Sequence, residues 1–149
     1  MSGVIEAGAV ERPRDIAMTG VIVVTHGYSG AEIVRAVEQK VGHSLEHVAA
    51  VGIAIDEPMA RVQERLEEAM RLLGDKEVVF LVDLGGSTPF NVCCRRCGRE
   101  SAVVSGVNMP MLFKLSTADR TAGARHLAEE LAASGAKSIS VRGGQPGTP

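Results

Sequence analysis

Apolar and polar positions alternate along the chain in blocks whose lengths and periods differ. Val21-Ile22-Val23-Val24-Thr25 is an unbroken β-branched run, the pattern of a strand covered on both faces. His26-Gly27-Tyr28 ends it. Ser29-Gly30-Ala31-Glu32 then has the form of a capping box, and Ile33, Val34, Val37 and Val41 recur at helical spacing until Gly42 supplies a stop. A second strand is expected within Val48 to Ile55. Asp56-Glu57-Pro58 opens a helix whose stripe is Met59, Val62, Leu66, Met70 and Leu73, closed by Gly74.

Val78-Val79-Phe80-Leu81-Val82 forms a third buried strand and runs into Asp83-Leu84-Gly85-Gly86-Ser87-Thr88-Pro89. Thr88 as N-cap, with Pro89 at the first helical position, starts a short helix through the cysteines. Ala102 to Ser105 make a fourth strand, followed by Gly106-Val107-Asn108-Met109-Pro110. A helix from about Thr117 to Ser134 presents Ala124, Leu127, Ala128 and Leu131 on one side, and Ser138-Ile139-Ser140-Val141 reads as a last short strand. Strands alternating with helices through brief loops imply right-handed crossovers, so the fold class is α/β: a doubly wound, mostly parallel open sheet flanked by helices. Residues 1–17 lack periodicity and read as a flexible leader, residues 18–142 as the domain, and residues 143–149 as a disordered tail rich in Gly and Pro.

Composition narrows the function. A length of 149 residues suits one domain, and with 3% aromatics and no Trp the core must be aliphatic. The 16 basic and 18 acidic residues are interspersed, without the concentrated positive face that a nucleic-acid partner requires. No apolar run approaches the roughly 20 residues that span a bilayer, and the N-terminus has no signal-peptide core, so a cytoplasmic location is expected. Three cysteines then read as free thiols.

In open parallel sheets, ligands bind outside the carboxyl ends of the strands, near the switch in strand order. Thr25-His26-Gly27, Asp83 to Thr88 and Gly106-Val107-Asn108 all fall there. Neutral imidazole is a good nucleophile, and a carboxylate bonded to one ring nitrogen fixes the tautomer and directs the other outward. His26 is the candidate nucleophile and Asp83 the carboxylate at the matching position; if Asp83 bonds Nδ1–H, Nε2 attacks. Free amides at the helix start, the helix dipole and the hydroxyls of Ser87 and Thr88 favour an anion there. Each feature alone has a plainer reading: a structural histidine, an aspartate capping a turn, an ordinary helix start. Together they point to a phosphohistidine site.

The remaining histidines and the thiols read differently. His43 and His47 are four apart but follow a helix stop with no third ligand nearby, and they and His126 are expected on the surface. Cys93, Cys94 and Cys97 contain one CxxC, which would suit a redox or metal-binding module with Arg95 and Arg96 lowering thiol pKa values, or simple core packing. No metal site is expected.

Val21 to Gly27, Phe80 to Leu84 running into Gly86-Ser87-Thr88-Pro89-Phe90-Asn91, and Gly106-Val107-Asn108-Met109-Pro110-Met111-Leu112 resemble the three signature regions of mannose-class enzyme IIA domains of the bacterial phosphoenolpyruvate-dependent sugar phosphotransferase system. The resemblance implies a phosphocarrier. His26 would take a phosphoryl group from an HPr-type carrier protein and pass it to a IIB component in sugar uptake, with no cofactor beyond the covalent phosphohistidine. It implies that Asp83 orients the histidine, that Gly86, Ser87 and Thr88 bind the phosphoryl group, and that Tyr28, Phe90, Asn108 and Met109 are candidates for partner docking. It also implies a homodimer with the last strand near the interface, a IIB partner supplied as a separate chain, and membrane contact only through a transporter complex. A regulatory phosphohistidine protein without transport is the alternative within the same chemistry. Two departures from the family loop stand out: Gly85 replaces a bulky residue and Ser87 replaces a glycine. A serine forced to positive φ there would be strained.

Overall fold

A computed structural model describes residues 18–74, 77–144 and 147 of the chain. The proposed leader and tail residues 145, 146, 148 and 149 lie outside the described residues. The apolar blocks become β1 (Gly20–His26), α1 (Ser29–Val41), β2 (Val48–Ile53), α2 (Met59–Leu73), β3 (Val78–Val82), α3 (Thr88–Arg96), β4 (Ala102–Ser105), α4 (Met109–Lys114) and α5 (Ala124–Lys137). The four strands form one all-parallel sheet in the order β2-β1-β3-β4.

Helices cover both faces of this sheet, which explains the continuous apolar runs. Val21 and Val23 of β1 pack in one core with Val34 and Val37 of α1 and Leu127 and Leu131 of α5. Ile22 and Val24 point the other way, into a second core with Val62 and Leu66 of α2 and Val92 and Cys93 of α3. All four β1 side chains are fully buried. At about 1.5–3 kcal/mol for each such side chain, β1 is the main anchor of the sheet. From β1 the chain adds β2 on one side, then crosses to the other side to add β3. The carboxyl ends of β1 and β3 therefore meet at the switch in strand order, where a crevice opens.

Several expected boundaries move. Ser29 does not cap α1: Tyr28 stands at the N-cap without a side-chain bond, and the Ser29 hydroxyl donates to the His26 carbonyl at 2.9 Å. A short polar side chain has taken the nearer backbone acceptor that the tight turn offered. Ser87, not Thr88, is the N-cap residue of α3, with Thr88 and Pro89 in its first turn. In α2, Met59 is partly exposed, and Ala69 joins Val62, Leu66 and Leu73 on the buried face.

The helix expected from about Thr117 begins only at Ala124, after a series of turns, and a short helix that the pattern did not reveal, α4, precedes them. Asn108 caps α4, its Oδ1 accepting from the Met111 amide at 3.3 Å. Asp119 then accepts from both the amide and the hydroxyl of Thr121, at 2.9 and 2.6 Å, in a side-chain turn that competes with helix. Arg120 is drawn inward to tie the amino ends of β1 and β2, donating to the Thr19, Glu46 and His47 carbonyls. Gly123, at φ 100°, breaks the path once more before α5.

The expected last strand is absent: Ser138–Val141 pairs with no strand among the described residues. The Ile139 amide closes the end of α5 by donating to the Ala136 carbonyl at 3.2 Å, and Ile139 and Val141 are 76% and 97% exposed. Alternating apolar residues specify a strand only where a ladder receives them. Among the described residues, no helix is long and apolar enough to cross a membrane.

Candidate functional site at the carboxyl ends of β1 and β3

His26 is the last residue of β1, and Asp83 is the first residue after β3. One oxygen of Asp83, Oδ2, accepts two bonds from His26: from the backbone amide at 3.0 Å and from ring Nδ1 at 2.8 Å. An ionised carboxylate only accepts, so Nδ1 carries the hydrogen, and in the neutral ring Nε2 is then the nitrogen with the lone pair. The ring is 54% exposed, leaving Nε2 open to a partner. Burial pushes the Asp83 carboxyl up, but the His26 amide and ring bonds outweigh it and hold the group below the ordinary carboxylate value. Its other oxygen, Oδ1, is buried with no side-chain hydrogen-bond partner among the described residues, while Oδ2 is engaged twice by His26.

The backbone beneath the ring is held as closely. Gly27 turns at φ 56° and donates to the Ile53 carbonyl at 2.9 Å. Its own carbonyl lies over Gly52 so closely that a Cβ on Gly52 would sit 2.1 Å from it. On the other side, the buried Thr25 hydroxyl accepts from the Gly30 amide at 2.8 Å, fixing the start of α1 against β1.

After Asp83, Gly86 takes the left-handed conformation at φ 77°, whereas Ser87 is extended at φ −86° and ψ 174°. The strain foreseen at Ser87 is therefore avoided by its glycine neighbour. The Ser87 hydroxyl closes the loop by donating to the Leu84 carbonyl at 2.6 Å. First-turn amides have no intrahelical acceptor, and with the exposed Thr88 hydroxyl they form a donor-rich, positive end of α3. The third cluster joins the same edge, since the Val107 amide donates to the Val82 carbonyl at 2.9 Å.

A family model described as "PTS system fructose IIA component", the EIIA-man family, matches residues 20–132 of the chain. The chain belongs to this family. It is 29% identical over 97 residues to the mannose-specific EIIAB component of the phosphotransferase system from Escherichia coli K12, and to the same component from Shigella flexneri. That match covers 63% of the chain but only 30% of the length of these relatives. Among solved structures, the mannose/sorbose-specific IIA subunit from Enterococcus faecalis shares the fold with a TM-score of 0.76 at 22% identity, covering 89% of this chain and all of that one. The component EIIA from Streptococcus agalactiae gives 0.68 at 27% identity, covering 83% of this chain and 97% of that one. As a member of the EIIA-man family, the chain is a IIA-type component of the phosphotransferase system.

Within this IIA domain the other residues of interest fall into place unevenly. Tyr28 and Met109 are exposed. Phe90 is half-buried and packs against the α2/α3 core, while Asn108 is occupied on both sides, capping α4 and donating from Nδ2 to the Gly135 carbonyl at 3.3 Å. Sequence reasoning missed two further exposed apolar side chains on the same edge of the IIA domain, Ile55 and Leu84. It also missed Gly52, Glu57 and Arg65, described below.

The three thiols lie at different depths on or after α3. Cys93 is in the core, where burial pushes its thiol up to about 12, and burial raises Cys97 as well. The expected lowering by Arg95 and Arg96 therefore does not occur at these two; Arg96 instead pairs with Glu67 at 2.5 Å. Among the described residues, no three His, Cys, Asp or Glu side chains are grouped to hold a metal ion. His43 and His126 are exposed and His47 is half-buried.

Proposed function

We propose that this IIA domain is a cytoplasmic phosphocarrier in sugar uptake. His26 Nε2 attacks the phosphorus of a phosphohistidine on an HPr-type carrier. The new N–P bond forms as the donor's N–P bond breaks, and the donor nitrogen leaves with that electron pair. Asp83 keeps the hydrogen on Nδ1 and offsets the positive charge that builds on the ring. The phosphoryl oxygens are met by the amides of Gly86, Ser87 and Thr88 and by the Thr88 hydroxyl at the start of α3, while the Ser87 hydroxyl holds the loop shut on the Leu84 carbonyl. A IIB component then takes the group by the reverse geometry. The covalent phosphohistidine is the only intermediate, with no separate cofactor, and Tyr28 and Met109 are the exposed side chains on which partners rest.

The observation that carries this reading is the 2.8 Å bond between Nδ1 and Asp83 Oδ2 beneath a ring left half open. Family membership supports it, since IIA components belong to a phosphoryl relay. The test incubates the full chain with phosphoenolpyruvate, the first enzyme of the system and HPr. The wild type is expected to acquire acid-labile, base-stable phosphate and His26→Ala none. Equal labelling of the two proteins would exclude His26 as the carrier.

A further inference from the structure

We propose that Arg65 and Glu57 form a clamp that positions His26, by fixing the end of β2 on which the His26–Gly27 peptide rests. The catalytic meaning of this clamp rests on the relay described above.

The contacts are specific. Arg65, on α2, donates from Nη1 to the Gly52 carbonyl at 2.7 Å and to both carboxylate oxygens of Glu57 at 2.8 Å. Glu57 Oε1 also accepts from the Ala54 amide at 3.3 Å. Gly52 and Ala54 are thus pinned on either side of Ile53, and Ile53 is the residue whose carbonyl receives the Gly27 amide. Gly52 is also the residue over which the Gly27 carbonyl lies in closest approach. One ion pair therefore fixes both backbone surfaces against which Gly27 is seated.

The pair is not an ordinary surface bridge. The Glu57 side chain is 9% exposed and that of Arg65 37%, so the pair is part-buried rather than freely solvated. Charge-assisted bonds of this kind are short and directional, which suits them to hold a loop of five residues between β2 and α2 in one conformation. His26 is then held from two sides: the ring by Asp83 on β3, and the following peptide by the end of β2. A movement of about 1 Å in a nucleophile is enough to cost on the order of a hundredfold in rate, so a device that fixes the peptide next to the reacting ring bears directly on transfer.

Two variants test the clamp. Arg65→Met keeps the aliphatic stem and removes the donors; Glu57→Gln removes the charge while keeping the size. Three quantities are measured in each: amide hydrogen exchange at Gly27 and at Val23, the ring nitrogen shifts of His26, and single-turnover phosphorylation by phospho-HPr. In Arg65→Met, Gly27 is expected to exchange about tenfold faster while Val23 in the core of β1 is unchanged. The ring shifts move with it. Phosphorylation at saturating donor falls about tenfold, with the half-saturating donor concentration within about twofold of wild type. Glu57→Gln moves each quantity in the same direction by less.

The clamp is overturned if Gly27 exchange and the His26 shifts are unchanged in both variants. It is also overturned if Gly27 and Val23 accelerate equally, the mark of general loosening. Should the wild type take no label at all, the relay reading falls, whereas exchange and ring shifts still decide the clamp.

Discussion

In the proposed relay, transfer at His26 depends on which ring nitrogen carries the hydrogen, and a single oxygen of Asp83 faces that choice. The carboxyl is held below its ordinary value of about 3.9 by bonds that exist only in the folded chain. Its contribution to stability is therefore complete above that value and is lost as pH falls through the depressed folded value. Urea midpoints should decline on acidification below about pH 4, and Asp83→Asn should flatten part of that slope while slowing phosphorylation on the order of a hundredfold. Parallel pH curves for the two proteins would show that Asp83 is not the linked group. Both residues were legible in the sequence, since each directly follows an apolar run that could only be a covered strand. Arg65 and Glu57 were not: one stands midway along α2 and the other in the loop before it, and their significance lies in a backbone carbonyl that only the folded β2 brings near. The doubt over Ser87 was resolved by a detail that a motif does not carry, namely which of two neighbours takes the positive φ.

At the scale of elements, close approach matters more than bond count. β2 supports the His26 loop only because Gly52 has no side chain, and no shift of an exposed group would make room against the Gly27 backbone. Gly52→Ala is expected to destabilise the chain by about 1–3 kcal/mol, measured by urea unfolding, with β2 or the loop displaced. An unchanged midpoint would show that the approach is relaxed in solution. The buried strands were legible because burial on two faces leaves an unmistakable run. Elements after β4 were less so. α4 is a single turn and a half set by the Asn108 cap and Pro110, and apolar spacing over so few residues carries little signal. Ser138–Val141 shows the converse error, in which the right residue pattern meets no partner strand among the described residues.

For the molecule as a whole, the large exposed apolar residues other than Met59 and Leu72 of α2 fall into two groups. Tyr28, Ile55, Leu84 and Met109 follow the carboxyl ends of the four strands, where partners would dock; Ile139 and Val141 follow α5. We propose that the second group is covered in a homodimer. Sedimentation equilibrium is expected to give a dimer for the wild type, and a chain carrying Ile139→Asp and Val141→Asp is expected to be monomeric. A wild type that stays monomeric at high concentration would remove this proposal. Nothing in the sequence could settle the matter, because two β-branched residues in a short segment look the same whether they pair within one chain, between two, or not at all.

The sheet order also bears on biogenesis. His26 and Asp83 stand 57 positions apart in the chain and become neighbours only when β3 settles beside β1. A nascent polypeptide that has emerged through β2 already displays its imidazole, but with neither nitrogen assigned. Under the proposed relay, competence for transfer thus waits for β3 to join β1.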